Sequence, residues 1–457
     1  MPPLYPWQMR LIEHPAARTA FLVLTFSALF AGDGWRMSFG WVTFGVLSGL
    51  IVLASVLLLT LRRADWRLVG LPFPLIAFLA LATLSLAWSF YPGATALGLL
   101  TTWMIAVTAL ALAVGFRWEE LLRGLGLTFR IVLAVSLAFE LFVATIIRAP
   151  ILPLHTQPGV DYSIYDKIPK MLYWSRNELF EVFDSGRIQG IVGNANNLGL
   201  IALLGLMVFV VQLLDRRVRR GWGIFWIVIA AVTLLFTRSA TITVAGAGML
   251  AVAVAIILVR RAPTRRARTA TYVGLLAAVA IVGTTIALLG DRLLGLLGRE
   301  SDLTGRLGIW NDVITLAHQR PVFGWGWVSY WVPWAEPFTD LTFRNGVRQL
   351  QAHNAWIDVF FQLGVIGVIV FAALVVSTVV RAWWIAVDRP QQLPGIPGRF
   401  TALATLPVLI LAVLVLQSLA ESRLLVECGF ALLVIIAVKT KTPDLTPLAP
   451  RADTRPY

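Results

Sequence analysis

The sequence predicts an all-α polytopic membrane protein, and three observations carry that prediction. Of its 457 residues, 58% are hydrophobic and only 14% charged, whereas soluble domains run at about 25% charged. Mean hydropathy is +0.80. Apolar runs close to the ~20 residues needed to cross a hydrocarbon core recur along the chain.

The apolar runs fall at 16–32, 39–61, 69–90, 95–116, 125–147, 197–214, 222–237, 240–259, 270–290, 355–381, 402–420 and 423–438. They make about twelve candidate transmembrane helices. The seventh and eighth runs are parted only by Arg238 and Ser239, the last two by Glu421 and Ser422. No small-residue cleavage site follows the first run, so it reads as a retained span.

The net charge of +14 is not a nucleic-acid footprint, because the basic residues lie in short clusters between apolar runs. Arg62, Arg63 and Arg67 form one cluster, and Arg117 and Arg123 the next. Arg216, Arg217, Arg219 and Arg220 follow, then Arg260, Arg261, Arg265, Arg266 and Arg268. Arg381, Arg389 and Arg399 come later, and Lys439 and Lys441 last. Every cluster occupies an alternate loop. Positive-inside asymmetry therefore puts these loops and both termini in the cytoplasm of a cytoplasmic (inner) membrane protein. Membrane lipid is the implied partner of this surface, and nucleic acid is not.

The chain then divides into N-terminal helices (1–147), an outer loop (148–196), central helices (197–290), a larger outer loop (291–354), and C-terminal helices with a short tail (355–457). Both outer loops are rich in Trp, Tyr, Pro and Gly, and connections of such length are usually functional. Within the first, Tyr162–Phe183 mixes apolar and charged residues in a way that predicts a helix along the membrane surface. Cys428 is the single cysteine. It has no partner for an internal disulfide, and no Cys/His metal-binding spacing is present. No Walker motif and no acidic metal–nucleotide signature occurs, so an ATP-driven pump and a cytosolic nucleotide-sugar enzyme are disfavoured.

Four histidines are available, and His353 stands just before the tenth run, followed by Asn354, a good N-cap. His353 reads either as an interfacial polar residue or as a base or hydrogen-bonding group facing outer water. Arg187, Arg238, Arg299, Arg306, Arg344 and Arg348 break the charge asymmetry by falling on the outer side. Arg238, between two spans with almost no loop, either snorkels to headgroups or forms an anion site, since guanidinium matches phosphate geometry. Arg306 and Arg187 lie in glycine-containing stretches. Together these groups describe a basic pocket for a pyrophosphate-bearing lipid. Glu140 and Asp358 fall inside apolar runs, with Glu421 and Glu427 at the last two. Each is a functional candidate or the partner of a bundle arginine.

His353-Asn354, then nine residues, Gly364, two residues and Gly367 resemble the signature of the O-antigen ligase and polymerase superfamily of bacterial membrane proteins. On composition alone, the same residues are a capped helix with two small residues for close packing. Arg187–Gly199, Thr237-Arg238-Ser239, and Gly305-Arg306 with Trp310, Pro321, Gly324 and Gly326 follow in the family's order. The resemblance covers about 185–370. It implies a GT-C-like architecture and a metal-independent, inverting glycosyltransferase without cofactor. The donor would be an undecaprenyl-pyrophosphate-linked glycan and the acceptor a glycan or lipid-glycan hydroxyl at the outer face. By the same resemblance Arg238 and Arg306 would hold the pyrophosphate, Arg187 is a third candidate, and His353 would activate or orient the acceptor hydroxyl. A polysaccharide or lipid-linked oligosaccharide transporter or flippase is the competing reading. A midplane site and internal repeats would favour it.

Overall fold

The computed structural model describes residues 14–441, apart from 64–65, 157–158, 297–299, 345, 389–390, 394–395 and 398–399. Both termini and the predicted topology residues Arg299, Arg389 and Arg399 lie outside the described residues.

The protein is an all-α membrane protein. Its helices are α1 (Pro15–Phe30), α2 (Gly32–Leu61), α3 (Phe73–Leu84), α4 (Pro92–Gly115), α5 (Trp118–Phe142), α6 (Ala195–Leu214) and α7 (Arg220–Thr237). They continue with α8 (Ala240–Arg261), α9 (Arg265–Leu296), α10 (Glu300–Ala317), α11 (Ala355–Val387), α12 (Leu406–Ser418) and α13 (Glu427–Lys441). Among the described residues, eight helices are long and apolar enough to cross a membrane, and α1, α3 and α12 are shorter apolar helices. Each of the twelve apolar runs read from the sequence falls on one of these helices, and α10 is additional. Residues Cys428–Thr440 of α13 are all buried. A helix apolar all round belongs in a bundle interior, and α13 packs there against α4 and α11.

One feature was invisible to hydropathy. α11 breaks at Gly364, where φ is +65°, a backbone region open to glycine and costly for most other residues. The break exists because the chain around Pro321–Val328 inserts against it. Trp325 N donates to Phe361 O at 3.0 Å and Gly326 N to Gln362 O at 2.9 Å. Val365 N donates to Pro321 O at 2.8 Å. Interrupted backbone inside a membrane bundle needs such partners. Trp327 follows, fully buried, with its indole N–H on Thr102 Oγ1 at 2.9 Å. A Cβ at Gly98 would stand 2.4 Å from the Val328 carbonyl, so α4 can approach this segment only with glycine there.

The predicted surface helix over Tyr162–Phe183 does not form. That stretch holds only three short 3-10 turns, at Tyr162–Ile164, Lys170–Leu172 and Leu179–Glu181. Pro169 lacks an amide donor for a continuing helix, and tertiary bonds take over the segment. The Glu140 carboxylate in α5 accepts from Gln189 N (2.8 Å), Gly190 N (2.7 Å) and Ser175 Oγ (2.7 Å). Glu140 is therefore the peg on which the 148–196 connection hangs. The second long connection is also more ordered than composition implied. It carries α10 and an antiparallel hairpin of β1 (Phe343–Arg344) and β2 (Val347–Arg348).

Candidate functional site

Three helices begin at the same end of the bundle, each with a polar cap. Asn194 accepts from Asn196 N and Asn197 N at the start of α6, at 2.9 and 3.1 Å. Ser239 accepts from Ile242 N at the start of α8, at 3.4 Å. Asn354 accepts from Trp356 N and Ile357 N at the start of α11, at 3.0 and 3.3 Å. Such caps satisfy the orphan amides of a first turn. Asn354 does more, because its own amide donates to Leu419 O at 3.1 Å and ties α11 to the α12–α13 turn.

Glu421, in that turn, is the hub. Its Oε2 meets His353 Nδ1 at 2.9 Å. Its Oε1 accepts from Arg306 Nη2 at 3.1 Å and from Asn196 Nδ2 at 2.8 Å. Asn196 in turn accepts on Oδ1 from Ser239 Oγ at 2.8 Å and from Arg187 Nη2 at 3.3 Å. Arg306 also reaches Thr241 Oγ1, in the first turn of α8, at 3.4 Å. Arg306, Glu421 and His353 side chains are 13%, 11% and 19% exposed, so this is a nearly dry ion-pair network with a small opening. Burial pushes the Glu421 carboxyl up, but the adjacent His353 and Arg306 outweigh it and hold the group at about 2.

Both His353 ring nitrogens are engaged. Nε2 lies 3.1 Å from Gln349 Oε1, while the Gln349 amide donates to Val347 O at 2.8 Å. That second bond fixes which end of the carboxamide faces the ring. His353 has φ +50°. A left-handed histidine is uncommon, and backbone held there by its surroundings is frequent at functional sites.

Four basic residues were singled out by sequence. His353, Arg306 and Arg187 are joined in one network through Glu421 and Asn196. Arg238 enters differently. It ends α7 in left-handed backbone, φ 46°, and its Nη1 donates to Val182 O (2.9 Å) and Asp184 O (3.1 Å) of the first long connection. Its neighbour Ser239 makes the link to Asn196. Gly364 serves the helix break described above, and Gly367 is buried in α11. The participants that sequence reasoning did not assign are Gln349, Asn196 and Thr241. Glu421 stood out as a carboxylate beside the last span, but no pattern in the sequence named Arg306 and His353 as its partners.

A second group of charges lies beside the first. Arg36 of α2 bonds Asp33 and, at 3.0 Å, Glu427, which also takes Arg423. Asn197 reaches Asp33 at 3.4 Å, so the α1–α2 turn is connected to the same end of the bundle.

The region of known likeness passes through this end of the bundle. Residues 223–372 match the O-antigen ligase family. The match bears out the superfamily resemblance and covers Arg238, Arg306, His353, Asn354, Gly364 and Gly367. Arg187, Asn196 and Glu421 lie outside it. The chain is also 30% identical over 202 residues to the exopolysaccharide production protein ExoQ of Rhizobium meliloti (strain 1021). That similarity covers 41% of this chain and 45% of the relative, so the two are matched over less than half the length of either.

Proposed function

We propose that the protein is a ligase or polymerase of cell-surface polysaccharide. It moves a glycan from an undecaprenyl-pyrophosphate carrier to an acceptor hydroxyl at the outer face of a cytoplasmic membrane. The observation carrying this reading is the joining of Arg306, His353 and Arg187 in one polar network at three helix N-termini. Helix N-termini favour anions, and guanidinium groups match phosphate oxygens. The likeness to O-antigen ligases and to an exopolysaccharide production protein supports the substrate class. The site end lies opposite the basic clusters, and positive-inside asymmetry then makes it the outer one.

In the reaction proposed, the acceptor hydroxyl oxygen attacks the anomeric carbon of the donor sugar with inversion. The bond from that carbon to the phosphate oxygen breaks, and the diphosphate leaves with the electron pair. Arg306, Arg238 and Arg187 hold the growing negative charge, a role in which pre-positioned donors are most effective. As Gln349 is displaced, His353 Nε2 releases the proton it donates to Gln349 Oε1 and then takes the acceptor proton, with Nδ1 oriented by Glu421. Gln349 now occupies the place an acceptor hydroxyl needs beside Nε2, so the acceptor displaces it. The diphosphate's charge is met by fixed cations, and the reading is metal-independent.

The test uses the full-length protein in lipid nanodiscs with a lipid-linked oligosaccharide, candidate acceptors and no nucleotide sugar. Release of lipid pyrophosphate should survive chelator and disappear in His353→Ala and Arg306→Ala. Undiminished turnover in both variants overturns the site assignment. Transporters also use interrupted helices, and α11 is interrupted. Its freed groups, however, are satisfied by the protein's own 321–326 segment. Movement of intact donor across vesicles without transfer would favour a flippase instead.

A further inference from the structure

One buried carboxylate bonds both sides of the network that presents His353 and Glu421. Asp358 lies in the first turn of α11, 1% exposed. Its Oδ2 accepts from Ala352 N at 3.1 Å and from Ser422 Oγ. Ala352 immediately precedes His353, and Ser422 immediately follows Glu421. One oxygen therefore grips the backbone beside the imidazole and the residue beside its carboxylate partner. Neighbouring ties act along the same seam, among them Asn354 Nδ2 donating to Leu419 O at 3.1 Å. Trp356 Nε1 donates to Ser418 Oγ at 3.0 Å, and Ser422 N reaches Gln351 Oε1 at 3.4 Å.

We infer that Asp358 is a positioning residue that sets the register between His353 and Glu421. This inference rests on the proposed glycan transfer for its effect on turnover, but not for its geometry. His353 is in left-handed backbone, outside any helix, and Glu421 sits in a turn. Neither is fixed by regular structure, so their 2.9 Å contact depends on what ties the two turns together. A general base displaced by about an ångström loses most of its effectiveness. The requirement on Asp358 is an acceptor oxygen at one point, not a charge. An asparagine carboxamide oxygen offers the same two lone pairs.

The experiment compares wild type, Asp358→Ala, Asp358→Asn and Ser422→Ala, each in nanodiscs and each checked for thermal midpoint. Two readouts are taken. The first is the rate at which diethyl pyrocarbonate modifies His353, followed by peptide mass spectrometry with His155 and His318 as internal references. It does not depend on what the protein catalyses. Asp358→Ala should raise His353 labelling several-fold, Ser422→Ala less, and Asp358→Asn should match wild type. The second readout is lipid-pyrophosphate release. Asp358→Ala should lower kcat by about 10–100-fold with donor KM little changed, and Asn should restore most of it.

Equal His353 labelling in all four proteins overturns the inference, whatever the activity. Loss of turnover in Asp358→Asn as severe as in Asp358→Ala also overturns it, because the charge would then matter rather than the acceptor. If Asp358→Ala does not fold, Ser422→Ala and Asp358→Asn still decide between these outcomes. No release by wild type, with labelling as expected, would count against the proposed function and leave the anchoring role standing.

Discussion

The two ends of the bundle use cations in opposite ways. At the end with the basic clusters, positive side chains sit on helix C-terminal carbonyls. Lys439 Nζ donates to Ala113 O at 3.1 Å and Phe116 O at 2.8 Å, where α4 ends. Arg260 Nε donates to Ala386 O at 2.6 Å, where α11 ends. Cation and helix dipole are complementary there, and no ligand is needed. At the other end, Arg306 and Arg187 stand beside the N-termini of α6 and α8, where the partial charge has the same sign as theirs, while Arg238 lies between the C-terminus of α7 and the N-terminus of α8. Such an end calls for an anion. Glu421 supplies one negative charge to Arg306 and His353 together, and in the proposed function the diphosphate supplies the rest. The lesson is that an excess of arginine is structural or functional according to which helix terminus it faces.

The ion pairs differ in burial as well. Arg217–Glu119 and Arg268–Asp388 have side chains 31–49% exposed, against 11–13% for Arg306–Glu421. This sets an order of expected effects that can break the comparison. The largest is Glu421→Ala, which strands a buried guanidinium and imidazole. Removing one partner of a buried pair costs about 3–5 kcal/mol, so the thermal midpoint should fall sharply and turnover should vanish. A midpoint equal to wild type would mean that the hub carries little energy.

Next come Arg306→Ala and Arg238→Ala. Both should depress donor use far more than Arg217→Ala, whose exposed pair is worth under about 1 kcal/mol. Equal losses in all three would erase the distinction between the ends.

The smallest effect is a pH dependence. The Glu421 carboxyl is at about 2 in the folded protein, against its usual 4.5. Its stabilising contribution is thus complete above 4.5 and is lost as pH falls from 4.5 towards 2. Thermal midpoints measured between pH 7 and pH 3 should drop below about pH 4.5 in wild type. In Glu421→Gln this part of the drop should be absent. Identical acid profiles would remove Glu421 as its source.

Much of the fold was legible because a membrane span announces itself by length and apolarity. The cap at Asn354 and the turn at Arg238-Ser239 were also legible, since a polar residue between two apolar runs has few other uses. The surface helix over Tyr162–Phe183 was misread. Its mixed composition suits an interfacial helix, but Pro169 interrupts it and Glu140, distant in sequence, takes the Ser175 hydroxyl within it. The insertion of Pro321–Val328 against the α11 break was equally hidden, because Gly324, Gly326 and Gly364 look like ordinary loop and packing glycines until their backbones meet.

Taken alone, the sequence determined that the chain is a helical membrane protein, which loops share a side, and which few residues could carry chemistry. These are properties of local composition, readable along one dimension. Only the tertiary structure decided that Glu421 joins His353 to Arg306, that Arg187 enters through Asn196, and that Asp358 grips the turns on both sides. Those pairings link residues 6 to 225 positions apart. A side chain's charge is encoded where it stands, but its partner is chosen by how the helices pack.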